Sequence, residues 1–143
     1  MSQENVEVVR SLWEPFKGLD VTAIDWNAEA IREMIGPPFS PEVELRWSAT
    51  WAGEREYGGR DGVIQAFKEW VEPFSEYHAE PLDYIEVGDH VVVPTRQWGV
   101  GGASGAPVEI EVTHVFEFRG HQIVRLDEYD TLKEALEAAG LTE

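Results

Sequence analysis

The segment Val108–Phe118 alternates between apolar and polar residues almost without a break, and it constrains the chain more than any other. Val108, Ile110, Val112, Phe116 and Phe118 fall on one side of a period of two, with Glu109, Glu111, Thr113 and Glu117 on the other. This is the pattern of a strand with one face buried. His114 alone interrupts the apolar side. After a turn at Arg119-Gly120-His121, the run Ile123–Glu128 reads as a second strand, and parity puts Glu128 on the face of Val124 and Leu126. An imidazole and a carboxylate aimed at the inside of a sheet are costly without partners. Together they point to a lined pocket that holds acid–base groups.

The rest of the chain narrows the classes. Its 143 residues suit one domain spanning 1–143 with a core of its own. With 28 acidic against 11 basic residues the net charge is −17, which repels phosphate backbones and anionic membrane surfaces. Neither nucleic acid nor a membrane is therefore an expected partner. The absence of cysteine excludes disulfides, thiolate nucleophiles and cysteine-held zinc. The polar start Met1-Ser2-Gln3-Glu4-Asn5 does not read as a signal peptide. No apolar run approaches the ~20 residues that span a bilayer, so a cytoplasmic location is the default expectation. Six tryptophans, six phenylalanines and four tyrosines are enough to line a site for a flat or hydrophobic ligand as well as a core.

Helical spacing dominates the first half. Val6, Val9, Trp13 and Phe16 define one apolar face, with Gly18 as an end. A second helix is predicted from Thr22, capped with Asp25, along Ile24, Ala28, Ile31 and Ile35 to the stop at Gly36-Pro37-Pro38. Val43–Trp47 alternates as a short strand, and Ala52–Gly59 reads as a loop. Asp61 is placed to cap a third helix with the stripe Val63, Phe67, Trp70 and Phe74. Strands follow over Tyr77–Val87 and His90–Val100, joined at Gly88-Asp89, and Gly99–Gly105 reads as a mobile connection. Thr131 and Glu134 form a capping box for a last helix ending at Gly140. Helices first and an antiparallel meander after predict an α+β fold.

In that order the chain resembles the SnoaL-like branch of the nuclear transport factor two-like superfamily. The resemblance is carried by Ser2–Arg10, Gly59-Arg60-Asp61-Gly62-Val63, Gly88–Val93, Thr113–Gly120 and Glu134–Leu141. It implies a cone-shaped, curved, antiparallel-rich sheet wrapped around N-terminal helices, with a small molecule in the hollow. Polyketide cyclases, limonene epoxide hydrolase, ketosteroid isomerase and scytalone dehydratase share that fold. They work without a metal or organic cofactor, and many dimerise through the outer sheet face. Here that face is expected to present Val91, Val93, Thr95, Val115 and Tyr129, with Asp127, which suits a homodimer.

Three residues are candidates for catalysis. Glu128 resembles the position of an acid in the epoxide hydrolases, and a carboxyl in an apolar cavity suits acid–base work near neutral pH. Arg96 shares a face with Val92 and Trp98 by parity and resembles the arginine that orients those acids. The epoxide hydrolases carry a second acid two residues beyond that arginine, where this chain has Trp98, so their carboxylate pair is missing. His114 is the third, as an acid–base partner or a donor to an enolate oxygen. A plainer alternative stands beside each: a strand-end glutamate bonded to the backbone, a surface arginine misread across Pro94, a buried histidine bonded to a carbonyl. Trp13, Trp47, Tyr57, Trp70, Trp98 and Phe116 are candidates to line the hollow, each with plain core or loop packing as its alternative. The reading is a small-molecule pocket protein, as a cofactor-independent cyclase, isomerase or hydrolase. A noncatalytic binding module for a hydrophobic or aromatic molecule, or a dimer with a filled cavity, remains open.

Overall fold

The structure, a computed structural model, describes residues 2–47 and 55–140. Val6 and Val9 bury the face of helix α1 (Ser2–Trp13) against the core. Beyond it the chain tightens into a 3-10 turn over Glu14–Phe16, with Pro15 at its start, where a missing N–H leaves no bond unmade.

The predicted helix from Thr22 is not continuous. Asp20 is the capping residue, its Oδ1 accepting from the Thr22 amide at 3.0 Å to open a 3-10 turn over Val21–Ala23. Asp25 Oδ1 accepts from the Asn27 amide at 3.0 Å, a local bond that competes with helix. Helix α2 is therefore only Glu29–Ile35. In the non-helical stretch before it, Trp26 stacks between Phe16 and Phe67, 6.1 Å from each ring.

Strand β1 (Phe39–Trp47) is longer than its alternation suggested. Part of the predicted loop is a strand, β2 (Arg55–Gly58), antiparallel to β1, and residues 52–54 lie outside the described residues. Helix α3 (Gly59–Val71) starts at Gly59 without a side-chain cap. Asp61 instead sits in its first turn, 3.4 Å from the Arg32 guanidinium. Phe74 belongs to the next strand, β3 (Phe74–Pro81), not to the helix. The expected Tyr77–Val87 strand divides there, because β4 (Ile85–Val87) is separate. Strands β5 (His90–Gly101), β6 (Pro107–Arg119) and β7 (Gln122–Tyr129) follow, and helix α4 (Leu132–Ala138) is capped by Thr131 as predicted. The glycine-rich segment is a closed turn: the Gly101 amide donates to the Ala106 carbonyl and the Gly105 amide to the Gly101 carbonyl, both at 2.9 Å.

These strands make one mixed sheet in the order β2-β1-β7-β6-β5-β3, with β4 also on β5. Every pairing is antiparallel except β1 with β7. The sheet is curved and unclosed, an α+β architecture. Residues from α1, α2 and α3 pack on its inner face, and α4 lays Ala135 and Ala139 on Val92 and Val115 of the outer face.

Register corrects the predicted faces of β5. His114 is paired with Val93, and Phe116 with Val91, so Val91, Val93, Thr95 and Gln97 point inward with them. Val92, Arg96 and Trp98 point outward. Parity could not be read across Val91-Val92-Val93 because both faces of that stretch are covered. In β7 the pairing jumps from Glu117↔Arg125 to Phe118↔Ile123. Val124 falls in that irregularity, and fully buried Ile123 takes the inner position expected of it. The outer face thus loses Val91, Val93 and Thr95. Val115 is 5% exposed beneath α4.

Candidate active site

A void of about 100 Å³ lies between the inner sheet face and the helices. Trp13 of α1, Trp26, Trp47 at the end of β1, Trp70 of α3 and Phe116 of β6 border it. An engineered apolar cavity of roughly 150 Å³ admits benzene, so this space is somewhat smaller than one that takes a single aromatic ring.

Four polar side chains join that wall: Tyr77, Gln97, His114 and Glu128. His114 and Glu128 are partners across β6 and β7, which puts them on one face at one level. Their Nε2 and Oε2 atoms are 3.0 Å apart, with the side chains 3% and 0% exposed. His114 Nδ1 has no hydrogen-bond partner among the described residues. The imidazole is held among rings, with centroids 5.6 Å from Trp13, 5.8 Å from Trp47 and 6.4 Å from Phe116. In a neutral imidazole whose proton is on Nε2, the Glu128 carboxylate accepts that N–H and Nδ1 carries a lone pair, the arrangement of an oriented base.

Tyr77 and Gln97 were missed by the sequence reading. The Tyr77 hydroxyl donates to Gln97 Oε1 at 2.6 Å, Gln97 Nε2 donates to Thr95 Oγ1 at 3.0 Å, and Thr95 Oγ1 donates to the Val112 carbonyl at 2.8 Å. The terminal carbonyl can only accept, which fixes the direction of the whole chain and the orientation of the amide. Burial pushes the Tyr77 phenol far above its usual range, and the Glu128 charge pushes the same way. Misread parity in β5 hid Gln97, and an apparent helix over residues 22–35 hid Trp26. The signal for Gln97 was its position two residues from Thr95 and four from Val93, the inward set that His114 defines.

Three predicted site residues stand elsewhere. Arg96 is on the outer face, its Nε 2.8 Å from Glu109 and its Nη1 3.6 Å from Glu80. Trp98 lies under that guanidinium, 4.5 Å from its centre, and stacks on His78 at 5.4 Å. Tyr57 donates to Glu69 at 2.6 Å beside β2 and does not border the void. Among the described residues no group of three histidine, aspartate or glutamate side chains is placed to hold a metal ion.

The site is thus an apolar hollow under a curved sheet and helices, with a buried ionisable pair in its wall. The chain belongs to the SnoaL-like domain family, whose model matches residues 26–126. Its fold is similar to that of a SnoaL-like polyketide cyclase, so described, from Jannaschia sp. The two are 17% identical with a TM-score of 0.71, over 99% of this chain and 95% of that one. TerC, crystallised with polyporic acid, is 18% identical with a TM-score of 0.66, over 96% and 99% of the two chains. A hypothetical protein of ketosteroid isomerase-like fold from Catenulispora acidiphila, in complex with trimethylamine, is 17% identical with a TM-score of 0.64, over 95% and 94%. No curated protein matches the sequence.

Proposed function

We propose that the void is the active site of a cofactor-independent cyclase or isomerase that moves a proton on an enolisable carbonyl of a hydrophobic or aromatic small molecule. One observation carries this reading: a histidine and a glutamate, both buried, bonded to each other on a wall that is otherwise mostly apolar. Such a pair is a poor stabiliser of a core, because desolvation offsets its attraction. It is well suited to proton transfer, because Glu128 holds the ring and supports the charge it takes up. His114 Nδ1 takes a proton from the carbon beside the carbonyl. The C–H pair becomes a C=C bond, the carbonyl pair moves to oxygen, and the imidazolium returns the proton to carbon. No electron or co-reactant is left over. The family's cyclase and isomerase members support the same reading.

The test is deuterium uptake from D2O at the α-carbons of small enolisable ketones of one ring or fewer, followed by NMR. The wild-type protein is expected to accelerate exchange, and Glu128→Gln to slow it by about 100-fold or more while tryptophan fluorescence still reports binding. Equal rates in the two proteins would remove the pair from the mechanism. A noncatalytic binding module is the second reading, favoured by the mostly apolar, aromatic-rich wall. Saturable binding with no exchange of any ketone in wild-type protein would establish it.

A further inference from the structure

We propose that the indole N–H of Trp47 is the donor that holds the substrate's carbonyl oxygen and stabilises it as the enolate forms. The inference rests on the proton-transfer reading and supplies the group that meets the charge this transfer creates. It defines the ligand as one in which an acceptor oxygen lies next to an ionisable C–H.

Topology puts Trp47 in place. In the parallel pairing of β1 with β7, Leu45 is level with Leu126 and Arg46 with Asp127. The next step along both strands brings Trp47 to the level of Glu128, which is paired on its other side with His114. Trp47, Glu128 and His114 thus form one row across three neighbouring strands.

Trp47 is 2% exposed, and its Nε1 has no hydrogen-bond partner among the described residues. A buried N–H without an acceptor is uncommon in a native fold. His114 carries the second unpartnered atom of the row, Nδ1, and the two rings lie 5.8 Å apart on the same wall. An indole can only donate, whereas the imidazole edge offers a lone pair when its proton is on Nε2. A fixed donor beside a base matches a carbonyl oxygen beside its α-hydrogen. The donor bond strengthens as charge grows on that oxygen, among side chains that are themselves buried. Trp26 Nε1 also lacks a partner among the described residues, but Trp26 stacks between Phe16 and Phe67.

The experiment uses 4-nitrophenol, whose phenolate imitates the enolate, and nitrobenzene, the same nitro-substituted ring without the phenolic oxygen. In wild-type protein labelled with indole nitrogen-15, the Trp47 N–H signal is expected to move downfield most of the six tryptophan signals when 4-nitrophenolate binds, and little with nitrobenzene. Trp47→Phe keeps a ring and removes the donor. It is expected to weaken phenolate binding about ten-fold or more beyond whatever loss the smaller ring causes for nitrobenzene. An unmoved Trp47 signal, no saturable binding of 4-nitrophenol, or equal weakening for both probes would overturn the proposal. The wild-type spectra do not depend on how well the variant folds. If Trp47→Phe discriminates between the probes but Glu128→Gln exchanges deuterium at the wild-type rate, the donor stands and the His114–Glu128 base falls. If Glu128→Gln abolishes exchange while Trp47→Phe treats both probes alike, the base stands and the donor falls.

Discussion

Gly99 and Tyr77 face each other in register across β5 and β3, and each depends on the other. A Cβ at Gly99 would lie 2.8 Å from Tyr77 Cδ1 and closer still to the Glu76 carbonyl. Gly99→Ala must therefore push β3 or the phenol out of place. A loss of roughly 1–3 kcal/mol is expected from such overpacking, readable as a lower urea midpoint. Tyr77→Phe acts differently, since it leaves the fixed Gln97 oxygen buried without its donor. A cost of about 1–3 kcal/mol follows from that unsatisfied acceptor, the Trp70 indole loses the phenol as its acceptor as well, and the same denaturation measurement checks it. Far smaller losses would mean that Gln97 turns over and that the direction of the buried chain is not fixed.

Among the elements, β6 was legible and β5 was not, for one physical reason. The wetter side of β6 carries Glu109, Glu111, Thr113 and Glu117, so its alternation survives in the sequence and yields His114. β5 is covered on both faces, by the core and by α4 with β4, so Val91-Val92-Val93 carries no parity. That ambiguity exchanged Arg96 for Gln97. Glu128 was placed inward even though a bulge moves Val124 out of the pattern, because the irregularity lies before Arg125 and leaves the following pairs in step. The segment between α1 and α2 was hidden by aspartates that make local turns where helix caps were expected. Arg96 provides the direct check on β5. Its bonds to Glu80 and Glu109 are exposed, so Arg96→Ala should cost no more than about 1 kcal/mol. Ligand binding, followed by tryptophan quenching, should be unchanged. A ten-fold loss of affinity would place the guanidinium in the cavity after all.

For the molecule as a whole, charge and buried phenols set the pH range of stability. All four tyrosines are held above their usual range, first by burial in each case, with Glu69 adding to the effect at Tyr57, Glu14 at Tyr84 and Asp127 at Tyr129. Such groups bind protons more tightly folded than unfolded. Their contribution is complete below the unfolded value near 10 and is lost as pH rises above it. Tyrosinate absorbance in an alkaline titration should therefore appear together with unfolding, and a normal transition in still-folded protein would contradict this. Asp20 behaves oppositely. Its carboxyl is held low, first by the Thr22 hydroxyl, so its contribution is present above the unfolded carboxylate value and fades as pH falls. The net charge of −17 adds self-repulsion that salt screens. Sodium chloride should consequently raise the melting temperature, most steeply at low ionic strength.

The place of β7 in the sheet has a consequence for how the chain is made. β7 is the last of these strands to leave the ribosome, yet it sits between β1, the first of them, and β6. Until it emerges, the β1–β2 hairpin has no edge to join, and the row from Trp47 to His114 lacks its middle member. Contacts between strands so distant in sequence are slow to form, because the loop they close is long. A nascent chain halted before β7 would expose Trp47 to water and leave His114 without its carboxylate partner, so that carboxylate and the wall that shields it arrive in a single step.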